Sequence, residues 1–179
     1  MAVAASYTDK TDEQKAITEM VRQFADEQII PSAEHYDHED EFPEPIVEQM
    51  KELGLFGVTI PEEYGGMGLD LTTYAMIVEE LSRGWISISG IVNTHFIGSY
   101  LLMKFGSDEQ KEYFLPKMAT GEMRAAFSLS EPGLGSDVQA GELARVLGSA
   151  RLLLADEARH ALVGGVGLTV GLGEHEHDA

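Results

Sequence analysis

The sequence predicts a mainly α-helical fold, a helical bundle followed by a short β stub, on three observations. Apolar residues recur at helical spacing through most of residues 11–120. Capping residues and glycine or proline stops bracket each of those runs. One short stretch, residues 123–130, reads instead as a strand running into a glycine turn. With 179 residues there is enough chain to bury a real core.

Five helices are expected in order. Thr11 and Gln14 have the spacing of a capping box, with Asp12 and Glu13 suited to the positive end of a helix. Ile17, Met20, Val21, Phe24 and Ala25 then share one face, Pro31 marks the exit, and residues 35–41 (HYDHEDE) read as a charged, solvated connector. The second helix begins near Pro43 and Pro45, carries Ile46, Val47, Met50 and Leu53, and stops at Gly54. Four glycines and a proline in residues 55–68 rule out a helix there and predict a shaped connector. Asp70 caps the third helix, whose expected apolar face is Leu71, Tyr74, Ala75, Val78 and Leu81. The fourth, from about Ser87 to Phe105, is apolar almost all round, which predicts a central buried helix. Ser107 caps the fifth and Gly121 closes the bundle. The expected core is Ile17, Val21, Phe24, Met50, Leu53, Val78, Leu81, Val92, Phe96, Leu102 and Phe114.

Composition divides the chain near residue 140. All six lysines precede residue 118, and every aromatic residue precedes residue 128. Residues 141–179 hold eight Leu and seven Gly but no aromatic to anchor a core. The expected units are a helical domain over 1–122, the start of a β-domain over 123–140, and a separate tail over 141–179. A net charge of −19 argues against unaided binding to nucleic acid or to an anionic membrane. Without cysteine there is no disulfide or thiolate site. The first residues lack the pattern of a secretory or transit leader, and the apolar run 161–173 is short for a bilayer, so a cytoplasmic protein is expected.

Residues 130–137, SEPGLGSD, are the segment suited to chemistry. Gly133 and Gly135 allow successive N–H groups to converge on an anion, and Ser130 and Ser136 add hydroxyl donors. Other candidates have plainer readings. Glu131 is best placed to tie its own turn. His35, Asp37 and His38 fit a solvated connector rather than a metal site, and His175, Glu176 and His177 lie in the tail. His95, on an apolar helix, reads as a hydrogen-bonded core histidine, and Trp85 as a packing residue.

Four blocks then resemble the N-terminal part of the acyl-CoA dehydrogenase family, in order and at family spacing: LGLFGVTIPEEYGGMGLD (53–70), VEEL (78–81), FGSDEQKEYFLPKMATGE (105–122) and FSLSEPGLGSD (127–137). The resemblance covers about residues 6–140. It implies an FAD-dependent enzyme that removes hydrogens from the α and β carbons of an acyl-CoA thioester, with a carboxylate taking the α proton and the flavin the β hydride. It places Phe127, Leu129 and Ser130 beside the flavin, the Ser130 hydroxyl donating to the ring edge where many relatives have Thr. Gly135 is implied among the cofactor-binding residues, and Ser136 would serve the FAD pyrophosphate and the pantetheine arm of the substrate. Val92, His95 and Phe96 would line the acyl pocket. An electron-transfer flavoprotein partner and a homo-oligomer are implied as well.

The departures shape the expected function. Family members run to roughly twice this length, and the segments bearing the second flavin contact and the catalytic glutamate have no counterpart here. No catalytic residue or metal ligand is therefore assigned. Residues 141–179 do not resemble the family's continuation; their composition suits an out-of-frame translation or a fusion. The expectation is a truncated acyl-CoA dehydrogenase, inactive alone with weak or absent FAD binding. The alternative is a non-catalytic helical remnant or interaction module.

Overall fold

A computed structural model of the chain describes residues 10–128 and 167–172, with side chains through residue 125. Helix α1, Asp12–Phe24, opens with the expected capping box: the Gln14 N–H donates to the Thr11 hydroxyl at 3.1 Å, and the Thr11 N–H to the Gln14 side chain at 3.0 Å. The chain does not leave the helix at Pro31. A π-helical turn, Ala25–Ile29, carries it straight into α2, Ile30–Glu39, where Pro31 occupies the first turn. A wider turn relaxes the i−4 geometry that a proline ring would foul, and a first-turn proline needs no N–H. His35, Asp37 and His38 are therefore helical rather than in a connector, and only Asp40, left-handed at φ 54°, breaks the rod.

Helix α3, Glu44–Glu52, follows at Pro43 and buries Ile46, Val47 and Met50. The connector to Asp70 contains a single 3₁₀ turn, Glu62–Tyr64, and is otherwise held by backbone bonds. The Met67, Gly68 and Leu69 N–H groups donate to the Gly57, Ile60 and Val58 carbonyls, each at 2.8 Å. Asp70 caps α4, Leu71–Gly84, accepting from the Thr73 N–H at 2.7 Å. Its inner face is Thr73, Tyr74, Met76, Ile77, Glu80 and Leu81; Leu71 is 60% exposed and Ala75 is exposed, a shift of the stripe by about a third of a turn from the expected one. Helix α5, Ile86–Phe105, and helix α6, Asp108–Ala119, complete the six described helices.

Among the described residues, two packed clusters make the core. The larger joins α1, α3, α4 and the first half of α5 through Val21, Phe24, Met50, Leu81 and Val92 among others. The smaller sets Ile60 and Leu102 against Phe114, Leu115 and Met118 of α6 and Met123 and Ala125. Of the expected core, Ile17, Leu53, Val78 and Phe96 are only partly buried. Helix α5 is not buried all round: Ile86, Tyr100 and Phe105 are 70%, 46% and 68% exposed, because α4, α6 and the strand that follows cover one side only. Its 20 residues and mean hydropathy of 1.3 match the length and apolarity of a membrane span. The side turned inward carries Ser89, His95 and Ser99 in a packed interface.

Strand β1, Met123–Ser128, leaves the bundle after Gly121, which is left-handed at φ 75°. It does not stand alone. Strand β2, Gly167–Leu172, pairs with it antiparallel, Met123 opposite Leu172 and Ser128 opposite Gly167. The short β stub expected after the bundle is thus paired: Leu168 and Val170, set between glycines in the tail, belong to an extended segment that satisfies β1 groups otherwise lacking a ladder.

Candidate functional site

The expected site residues fall into two groups. Phe127 is a backbone member of β1, and Leu129, Ser130, Gly135 and Ser136 lie outside the described residues, as do Glu131 and residues 175–177. Strand β1 therefore delivers the chain to within two residues of Ser130. The sequence that follows carries two serine hydroxyls and two glycines, residue types whose O–H and N–H groups can donate to an anion.

The second group lies on α5. Val92 and His95 are 2% and 1% exposed and face the bundle interior, while Phe96 is half-buried and stacks on Tyr74 with centroids 4.4 Å apart. His95 is the most constrained of the three. Its Nδ1 accepts the Ala125 N–H of β1 at 3.3 Å, and its ring meets Phe56 edge-on at 5.2 Å. Burial, with a smaller push from Arg124, lowers its pKa to about 4, against the Met118 and Phe56 carbonyls that favour the charged ring. Tyr74 is also driven by burial, up to about 12, and its hydroxyl has no partner. His95 and Tyr74 line the same narrow internal gap beside Thr59.

Two arrangements had no signal in the sequence. Glu80, 5% exposed, is held by Arg22 at 2.6 Å and by Arg83 at 3.0 Å, and Arg83 continues to Asp26 at 2.8 Å. The i,i+3 spacing of Glu80 and Arg83 is visible in the chain, but the partner 58 positions away is not. An open cleft of about 370 Å³ lies where α2 ends, lined by Tyr36, Phe42, Pro43, Trp85 and Ile91 with Asp37 and Asp40 at its edge. Tyr36 and Trp85 stack there at 6.3 Å. His35 lies 3.6 Å from Glu41 at the surface, and among the described residues no group of three or more His, Asp or Glu is placed to hold a metal.

Six helices in this order, a capped fourth helix after a glycine-stitched connector, and a strand leaving the last helix make a helical domain that runs into a β segment. The acyl-CoA dehydrogenase N-terminal domain family matches residues 11–122, and the chain belongs to the acyl-CoA dehydrogenase family. An acyl-CoA dehydrogenase of Bacillus subtilis is 39% identical over 128 residues, which is 71% of this chain and 34% of that protein. The structure of a glutaryl-coenzyme A dehydrogenase in complex with glutaryl-CoA superposes with a TM-score of 0.70 at 35% identity, over 74% of this chain and 35% of the other. An acyl-CoA dehydrogenase of Bacillus anthracis complexed with FAD gives 0.69 at 38% identity, over 75% and 23%. The chain thus spans about a third of the length of the relatives it matches.

Proposed function

We propose that this polypeptide is the helical part of an FAD-dependent acyl-CoA dehydrogenase acting in fatty-acid or branched-acid breakdown, and that the 179-residue chain does not turn over acyl-CoA by itself. The observation that carries the reading is the family match over residues 11–122 running directly, through β1, into SLSEPGLGSD. When bound, FAD supplies the two-electron acceptor for α,β-dehydrogenation. On this side of the site, Phe127 and Leu129 would flank the ring, and the Ser130 hydroxyl would donate to its edge. Gly135 and Ser136 would hold the pyrophosphate, with Ser136 also reaching the pantetheine arm. Helix α5 would wall the acyl pocket: Phe96 at its edge, Val92 and His95 fixing its rotation from inside.

General-base removal of an α proton needs a carboxylate within hydrogen-bond reach of the thioester, and no residue here corresponds to the family's glutamate. FAD contacts from one side hold only part of a cooperative site, so affinity is expected to be weak or absent. A cytoplasmic setting, an electron-transfer flavoprotein as partner and a homo-oligomeric holoenzyme belong to the same reading. The division at residues 122 and 140, with a tail of separate origin, belongs to it too. The test is purified chain with added FAD, acyl-CoAs of several lengths and an artificial electron acceptor. No turnover is expected; turnover abolished by Ser130→Ala with Ser136→Ala would show that this chain builds a complete site.

A further inference from the structure

A neutral imidazole has one nitrogen that donates and one that accepts. In His95 the Nδ1 accepts the Ala125 N–H, which assigns the ring proton to Nε2. The ring is 1% exposed and closed in by Phe56 and Val92; the Met118 and Phe56 carbonyls lie near it, but neither reaches Nε2 in hydrogen-bond geometry, and the Ala125 N–H is what fixes the tautomer. A protonated ring would set a donor against a donor, next to the Arg124 charge. The Ala125 N–H, committed to the helix side, is the strand's direct polar tie to α5 among the described residues.

We propose that His95 is the positioning residue that sets strand β1 at a fixed height against helix α5, acting as a neutral Nε2–H imidazole whose Nδ1 holds the Ala125 N–H. The functional part of this inference rests on the reading above, in which α5 walls the acyl pocket and β1 enters the flavin segment. One hydrogen bond then joins the helix that meets substrate to the strand that meets cofactor. An aliphatic side chain of similar bulk would keep the packing but release the strand.

The test uses the full chain without flavin, as wild type, His95→Gln and His95→Leu. Amide hydrogen exchange is read by NMR at Ala125 and along α5. The Leu variant should exchange Ala125 about tenfold faster or more while the α5 amides hold; the Gln variant, whose side-chain oxygen accepts, should stay within about threefold of wild type. Unchanged exchange at Ala125 in the Leu variant, or equal loss along α5, would overturn the proposal. Should the Leu variant fail to fold, the imidazole ¹⁵N spectrum of the wild-type chain decides. A bare Nδ1 supports the assignment and a proton on Nδ1 overturns it. FAD titration of the wild type reports separately on the functional reading, because neither measurement involves flavin.

Discussion

Glu80 is a carboxylate inside a helical bundle, and two arginines half open to solvent keep it charged there. The bonds to Arg22, then Arg83, hold its pKa below the usual carboxylate range against the opposing effect of burial. Replacing both arginines, Arg22→Met with Arg83→Met, strands that charge and is expected to cost about 2–3 kcal/mol in urea unfolding. Glu80→Gln, which removes the charge with its need for partners, should cost about 1 kcal/mol. Because the folded pKa is depressed, this stabilisation is complete above the unfolded value of 4.5 and is lost as pH falls through the folded one; Glu80→Gln should flatten the acid limb. His95 acts earlier on the same limb. With a folded pKa of about 4 against 6.5 unfolded, the unfolded chain binds the proton first, so stability falls between pH 6.5 and 4 by about 3 kcal/mol in all. His95→Gln should remove that step from a pH series of unfolding midpoints. The Thr11 and Ser107 caps were legible as residue spacings, because their partners lie three positions away. The Glu80 and His95 partners lie 58 and 30 positions away, a distance that local spacing does not report.

At the scale of elements, glycine placement separates what the chain requires from what it tolerates. A Cβ on Gly66 would strike the Ile60 and Gly57 carbonyls, backbone atoms already fixed by the connector's own bonds, so Gly66→Ala should cost about 2–3 kcal/mol. Gly90 lies mid-helix in α5 with open space around it, and Gly90→Ala should raise stability by about 0.5–1 kcal/mol. Thermal scans of the two variants check both signs. The positions of α3, α4, α5 and α6 were readable because caps and stops lie within their own segments. The passage through Pro31 was not, since a π-helical turn has no compositional mark and proline reads as a stop. The rotation of α4 was misread for a related reason: Leu71 and Ala75 are apolar but Thr73 and Glu80 go inside, each with a polar partner that only the fold brings near. Strand β2 was hidden in a segment whose glycines argue against any regular element. Removing residues 141–179 is expected to speed exchange at the β1 amides that face β2 while leaving α5 protected.

For the whole molecule, 31 acidic against 12 basic side chains set a self-repulsion that salt screens. Dilute protein is therefore expected to melt higher as sodium chloride is raised from low to moderate concentration, with no change in helical signal before the transition. Trp85 has a consequence of another kind. It is the chain's one tryptophan, and it stands at the junction of α4 and α5 with Tyr36 of α2 stacked upon it. All tryptophan emission therefore originates at one seam of the bundle, and none in the sheet. Emission and far-ultraviolet dichroism should lose their folded signals together if the six helices open as a unit. Tryptophan emission would pass over β1 coming away from β2, and far-ultraviolet dichroism would register it only as a small change beside the helical signal. The chain thus carries a fluorescent reporter for its helical part and none at the strand that leads toward Ser130.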